Sequence, residues 1–276
     1  MLSQKKPPLK FWQDFKGPAA VAHRGGDAAG IEKENSIKAF EAAHKLGYRW
    51  FETDVVATRD KKLLAIHGRG YQLRPNKDLP SRTKIGVTAY KDFAEMLIGG
   101  EKVPTLDEIL DRFPDIKIFI DPKTYKSVPA LIKCLSERPK DVERVCIGAF
   151  SKMRTIRTAY IIRKNTGKEV CTSILGPINA YPIYVAARVK ILRPFAKYYV
   201  QETNAGSIHV PYRWLVNSPK AGKKLIKYAH QLNLKVAVYT PNSEEAIKEL
   251  IKGGADLVMS DRVELLLSLI DKKHKR

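Results

Sequence analysis

Short apolar runs recur along almost the whole chain, and amphipathic stretches separate most of them. No other feature restricts the fold as much. The runs lie at 19–23, 50–55, 63–67, 116–120, 145–149, 170–174, 207–210, 235–239 and 257–260, and many are rich in Val and Ile. That composition suits strands covered on both faces. Helical patterns fall between them at 36–46, 127–137, 152–165, 218–232 and 243–251. The first follows Asn35, a good N-cap, and stops at Gly47. The last opens with Ser243 and stops at Gly253 and Gly254. Strand-then-helix order implies parallel strands joined by right-handed crossovers. The expected fold is therefore α/β, a (β/α)8 barrel of TIM type, with a doubly wound open sheet as the alternative.

The 276 residues fit one barrel, which typically takes about 250. No linker or internal repeat divides them, so one catalytic domain is expected over 1–276, with a core at about 18–266. The runs outnumber the eight staves of such a barrel. Val55 and Leu63 are joined through Arg59 and Asp60, too short a path for a crossover helix. That pair is expected to form a hairpin, which makes one run an excursion. Two segments interrupt the alternation. Residues 68–100 follow the third run and carry Arg69, Arg74, Lys77, Arg82 and Lys84, a basic insertion. Residues 177–206 are apolar, aromatic and basic together. Both read as decorations on the barrel.

Charge narrows the ligands. With 50 Lys and Arg against 29 Asp and Glu, the formal net charge is +21. Such a field attracts phosphate compounds, nucleic acid or an acidic membrane. No nucleic-acid motif accompanies it, so nucleic acid is not an expected partner. Cys134, Cys146 and Cys171 are odd in number and show no metal or CxxC spacing. They read as reduced, buried thiols of a reducing compartment. The first residues have no apolar signal core, and no uncharged apolar run approaches the roughly 18 residues of a membrane span. A cytoplasmic enzyme is the expectation, with oligomeric state open.

Several polar residues end apolar runs. Glu52 and Asp54 are two apart on a strand and face one side. Carboxylates aimed into an apolar barrel are costly unless a cation, a Lys or an Arg accompanies them. Asp121 ends the run 116–120, and Lys123 lies on its side if the strand continues through Pro122. Three oxygen donors at strand ends suit Mg²⁺ or Ca²⁺ better than Zn²⁺. His23 and Arg24 end the first run, before two glycines that let the backbone approach a ligand. His67 ends the third. Arg presents a donor fork to phosphate oxygens, and two histidines can serve as acid and base near neutral pH. Singly, each His reads as structural, as do His44, His230 and His274; His209 is undecided. Together these groups meet the needs of phosphodiester cleavage: charge neutralisation, an activated nucleophile and a protonated leaving group.

Ala22-His23-Arg24-Gly25, then Glu34-Asn35-Ser36 and Ala39-Phe40, resembles the opening signature of the glycerophosphodiester phosphodiesterases. Glu52-Thr53-Asp54-Val55 with Thr58-Arg59-Asp60 and Ile66-His67 resembles the second block of that family. Asp121-Pro122-Lys123, Tyr239-Thr240-Pro241-Asn242 and Gly254 to Arg262 resemble its later blocks, in order. The resemblance implies a barrel of the phospholipase-C-like phosphodiesterase type. It implies Glu52, Asp54 and Asp121 as ligands of a divalent metal, and His23 and His67 as the acid/base pair. It also implies Arg24 and Lys123 as phosphate contacts and Glu34 as a supporting residue that orients Arg24 or His23. Four positions depart from the family pattern: Lys33 replaces Pro, Lys61 replaces Gly, Gly68 replaces Asp, and Asp121 replaces the more frequent Glu. The implied reaction is hydrolysis of a glycerophosphodiester to glycerol 3-phosphate and an alcohol. A lysophospholipid-acting relative is the close alternative. A catalytically weak barrel that only binds phosphate or anionic lipid is the other, and Gly68 favours it.

Residues 181–200 carry Arg188, Lys190, Arg193 and Lys197, no acidic residue, and many apolar and aromatic side chains. That mixture suits peripheral contact with an anionic membrane. A barrel helix with solvated charges is the simpler reading.

Overall fold

Eight parallel strands close into a barrel in the computed structural model, which describes residues 9–68, 80–149, 152–203 and 205–274. Chain order gives β1 (Ala19–His23), β2 (Trp50–Ala57), β3 (Leu63–Ala65), β4 (Leu97–Ile98), β5 (Glu101–Lys102), β6 (Lys117–Pro122), β7 (Val145–Ala149), β8 (Cys171–Leu175), β9 (Ser207–Pro211), β10 (Lys235–Tyr239) and β11 (Leu257–Ser260). The barrel runs β1-β11-β10-β9-β8-β7-β6-β2 and closes by pairing β2 with β1, which rules out the open sheet. β3 is the excursion. It pairs antiparallel with the upper half of β2, Val55 opposite Ala65 and Ala57 opposite Leu63. β2 therefore forks: residues 50–52 pair with β1, and residues 55–57 pair with β3. β4 and β5 form a separate small ribbon.

The helices are α1 (Ile37–Lys45), α2 (Arg82–Val87), α3 (Leu106–Arg112), α4 (Ser127–Glu137), α5 (Lys152–Thr166), α6 (Pro177–Ala186), α7 (Arg193–Thr203), α8 (Arg213–Val216), α9 (Pro219–Gln231), α10 (Glu244–Gly253) and α11 (Val263–His274). Two sequence expectations change. The cap of α1 is Ser36, whose hydroxyl accepts from Ala39 N–H, a bond worth about 1 kcal/mol. Asn35 instead takes a left-handed backbone (φ 64°) and turns its amide oxygen to the Thr53 hydroxyl at 2.8 Å. Residues 177–206 are not a decoration: α6 and α7 are the crossover from β8 to β9. The insertion after β3 contributes α2, while Arg69, Arg74 and Lys77 lie outside the described residues.

Apolar packing occupies two levels. Between staves and helices, Phe40, Phe51, Leu106, Leu131, Ile208 and Leu225 are among the fully buried residues. Within the barrel, Val21, Phe119, Cys146, Cys171 and Met259 fill the interior. Phe11, Trp12 and Phe15, just before β1, pack against Trp50 and Phe119 and plug the end opposite the strands' C-termini. The three cysteines are free and buried. No helix among the described residues is long and apolar enough to cross a membrane.

Candidate active site

Strand register brings the chemistry together. β1 and β2 place His23 beside Glu52, and β2 and β6 place Asp54 beside Asp121. Side chains of paired residues on neighbouring strands project to the same face. Glu52, Asp54 and Asp121 are all buried. β6 continues through Pro122, so Lys123 falls on the side of Asp121. Its ammonium bridges Asp54 Oδ1 and Asp121 Oδ2, each at 2.5 Å. Arg24 Nε pairs with Asp54 Oδ2 at 2.8 Å as an ion pair without hydrogen-bond geometry, and a terminal nitrogen donates to Glu34 at 3.1 Å. Glu34 thus holds Arg24, not His23. Arg24, Gly25 and Gly26 all have positive φ. The glycines are needed for packing: a Cβ on Gly25 would stand 2.8 Å from Ala39 Cβ, and one on Gly26 2.1 Å from Val263 Cγ1.

His23 Nδ1 lies 2.6 Å from Asp261 Oδ1. Asn242 holds the other oxygen of that carboxylate, its amide donating to Asp261 Oδ2 at 2.7 Å. His23 Nε2 faces Glu52 Oε2 at 3.7 Å, beyond hydrogen-bond length. His67 lies just past β3. Its Nδ1 is 3.0 Å from the Gly68 carbonyl, the bond of an Nδ1–H tautomer in which Nε2 carries the accepting lone pair. Arg82, the first residue of α2, donates from Nε to the His67 carbonyl at 2.9 Å. One of its terminal nitrogens lies 3.2 Å from His67 Nε2 and 3.4 Å from Nδ1.

Electrostatics follow from burial and these neighbours. Burial, reinforced by Asp54, pushes the Glu52 carboxyl up to about 7. Burial also raises Asp121 despite Lys123. Asp54 goes the other way: burial opposes its charge, but Arg24 and Lys123 outweigh it and hold the carboxyl well below its usual range. Burial pushes His67 down to about 3, helped by the positive charges of Arg24, Lys123 and Arg82. Burial opposes the charge of Asp261 as well, but His23 and Asn242 outweigh it and hold that carboxyl low.

A divalent cation is implied by the donor types, and the residues allow a test of fit. Among the described residues no three His, Cys, Asp or Glu side chains are grouped as a metal shell. Lys123 occupies the space between two of the expected ligands. Yet Glu52 Oε2 and Asp121 Oδ1 are buried oxygens without a hydrogen-bond partner. Buried hard-oxygen donors that resist ionisation are the chemistry a divalent cation satisfies. The donor set fits such an ion.

All eight residues singled out in the sequence, His23, Arg24, Glu34, Glu52, Asp54, His67, Asp121 and Lys123, belong to this one rim at the C-terminal ends of β1, β2, β3 and β6. α/β barrels carry their sites on this rim. The remaining histidines serve structure: His44 pairs with Asp115, His230 with Asp256, and buried His209 bonds Ser207. His274 lies in α11, and its side chain falls outside the described residues. Asp261 and Arg82, which contact the two histidines, and Asn242, which holds Asp261, are neighbours of this rim that sequence reasoning misses. Asp261 and Asn242 stand in the later blocks of the resemblance, where a carboxylate or amide at a strand end is the available signal. Arg82 reads in the sequence as surface charge.

The sequence matches the glycerophosphoryl diester phosphodiesterase family over residues 23–265. The chain belongs to that family and is a phosphoric diester hydrolase. It is 28% identical over 265 residues to a probable glycerophosphodiester phosphodiesterase 2 of Mycobacterium tuberculosis, covering 96% of this chain and 94% of the relative. Its fold is similar to the crystal structure of a "putative glycerophosphodiester phosphodiesterase" from Galdieria sulphuraria (TM-score 0.73, 20% identity, 94% of this chain and 99% of the other). It is also similar to an Oleispira antarctica phosphodiesterase in complex with the product sn-glycerol-3-phosphate (TM-score 0.65, 18% identity, 92% and 97% covered).

Proposed function

We propose that the chain hydrolyses water-soluble glycerophosphodiesters to sn-glycerol 3-phosphate and an alcohol, as one catalytic unit. The observation that carries this reading is a pair of histidines on one rim in contrasting surroundings, His23 against a carboxylate and His67 beneath a guanidinium. Asp261 holds the His23 ring by Nδ1, as an orienting carboxylate holds a catalytic imidazole. His67 is held neutral by burial and three cations. In this reading His67 accepts the proton of the attacking hydroxyl group, and His23 Nε2 donates a proton to the departing alkoxide. The new P–O bond replaces the P–O bond to the alcohol. Arg24 and Lys123 bind the phosphoryl oxygens. Glu52, Asp54 and Asp121 hold a divalent cation, Mg²⁺ or Ca²⁺, which supplies neutralisation of phosphodiester charge. The free thiols support a cytoplasmic setting.

The test is turnover of glycerophosphocholine and glycerophosphoethanolamine with Mg²⁺, with Ca²⁺ and with chelator. Release of glycerol 3-phosphate that depends on added metal is expected. Release of a phosphorylated head group in its place, or full activity in excess chelator, would overturn the substrate reading or the metal reading respectively.

A further inference from the structure

Among the described residues, exposed large apolar side chains are concentrated in one segment of the chain. Ile178 and Tyr181 on α6 are 87% and 58% exposed, Ile191 is 79% exposed, and Phe195 and Tyr198 on α7 are 72% and 63% exposed. They lie in one crossover, the segment that enters from β8 and leaves into β9. α6 contains no charged residue. Its inner face packs Ala180, Ile183 and Ala186 against the barrel, and its outer face still presents Ile178 and Tyr181. A helix apolar on both faces belongs in a protein core or against lipid, not in water.

The surface is also predominantly cationic. From 170 to 201 the sequence contains Arg188, Lys190, Arg193 and Lys197 and no Asp or Glu, and exposed Glu202 follows only in the last turn of α7. Lys190 and Lys197 are exposed. Arg188 and Arg193 lie over the rings of Tyr184 and Tyr228, so their stems are anchored while the helices hold their position. Exposed aromatic and aliphatic groups interleaved with cations, with no anion among them, complement an interface of acyl chains beneath anionic head groups.

The patch adjoins the catalytic rim. α6 begins directly after the C-terminal end of β8, and Tyr184 packs on Trp214, just past the C-terminal end of β9, with ring centroids 4.4 Å apart. Tyr125, after β6, and Met153, after β7, are 74% and 70% exposed. β6, β7 and β8 are neighbours in the barrel, so Tyr125 and Met153 follow staves adjacent to the one that leads into α6.

We infer that α6, the turn at Lys190–Leu192 and α7 form a docking surface that seats the active-site rim on an anionic phospholipid bilayer. The inference uses the proposed function only to say which rim the bilayer meets. Binding is read without substrate, so a failure to hydrolyse leaves it standing, and a failure to bind leaves the hydrolysis standing.

The experiment is co-sedimentation of the full chain with phosphatidylcholine vesicles and with mixed phosphatidylcholine–phosphatidylglycerol vesicles, across a salt series. Binding to the anionic vesicles only, weakened by salt, is expected. An Ile191→Ser/Phe195→Ser double variant should bind on the order of tenfold more weakly, and Lys190→Glu/Lys197→Glu should bind weakly at any salt. Both should keep their thermal transition and their turnover of glycerophosphocholine, since none of these residues touches the site. No binding of wild type to anionic vesicles at low salt would overturn the inference. So would equal binding by the Ile191→Ser/Phe195→Ser variant. A wild-type dimer in light scattering that this variant converts to monomer would assign the patch to a second copy of the chain and overturn it too.

Discussion

Arg82 lies over the imidazole of His67. Its terminal nitrogen is nearly equidistant from the two ring nitrogens, 3.2 Å from Nε2 and 3.4 Å from Nδ1. No point on the lone-pair axis of Nε2 is that close to both, so the guanidinium stands above the ring and not on that axis. A cation in this position disfavours the imidazolium. Gly68 makes the approach possible: a Cβ there would stand 2.8 Å from Arg82 Cγ.

Arg82→Gln should therefore move the acid limb of the kcat/KM pH profile upward by about one pH unit. The sign follows from charge. Without the cation the imidazolium is easier to form, so the neutral ring is lost at a higher pH as acid is added. Arg82→Lys should keep most of the wild-type profile. An acid limb that does not move in Arg82→Gln would show that Arg82 only packs.

Gly68→Asp restores the residue usual in the family, and it should harm this enzyme. The backbone at Gly68 has φ 65°, so any side chain costs about 1–2 kcal/mol before the contact with Arg82 is counted. Urea unfolding should show the lower stability, and kcat/KM should fall. A gain in kcat/KM would mean that the site tolerates, and uses, a carboxylate at this position.

His23→Ala and His67→Ala should each reduce kcat by roughly 10²–10⁴-fold. The two act on one proton-transfer sequence, so the double variant should lose far less than the product of the single losses. Asp261→Asn should lower kcat with little change in KM, because Asp261 acts through the His23 ring that it holds. Steady-state kinetics on all four proteins decides the matter, and additive losses would separate the two histidines into unrelated roles.

Asp121→Asn removes one charge and almost no volume. It should keep the thermal transition of the wild type while requiring more metal for half-maximal activity. An unchanged metal requirement would remove Asp121 from the ligand set.

His209 offers a stability prediction away from the chemistry. Burial pushes it down to about 3, far below the value of an unfolded His near 6.5. Below pH 6.5 the unfolded chain therefore binds a proton that the folded chain refuses, and stability falls with falling pH down to about 3. His209→Gln should flatten this dependence by at most ~1.4 kcal/mol per pH unit. Denaturant midpoints at pH 7, 6 and 5 for both proteins measure the difference. Parallel curves would show that His209 is protonated within the fold.

The barrel, and the gathering of eight candidate residues on one rim, are legible in the sequence because each signal is local. Alternating apolar runs mark staves, and polar residues at their ends mark the rim. The cap of α1 falls one residue from the expected place because Asn and Ser are both good caps and only tertiary contact with Thr53 recruits Asn35. α3 is not among the expected helices although Thr105 and Glu108 form a capping box, a signal the sequence does contain. Lys61, where the family pattern has Gly, adopts φ 66°, a left-handed backbone that Gly takes more readily. Arg82 cannot be found from pattern. It is separated from His67 by 15 residues, and its role depends on how the intervening chain returns to the rim.

The fork in β2 has one more consequence. Glu52 is the last residue that β2 pairs with β1, and Val55 is the first that it pairs with β3. Thr53 and Asp54 lie between, where the strand changes partners. In an open α/β sheet, a ligand crevice forms where neighbouring strands diverge. A closed barrel has no such place by construction. Here a single antiparallel excursion supplies one, so a sealed cylinder acquires the divergence of an unsealed sheet at the stave that carries Glu52 and Asp54.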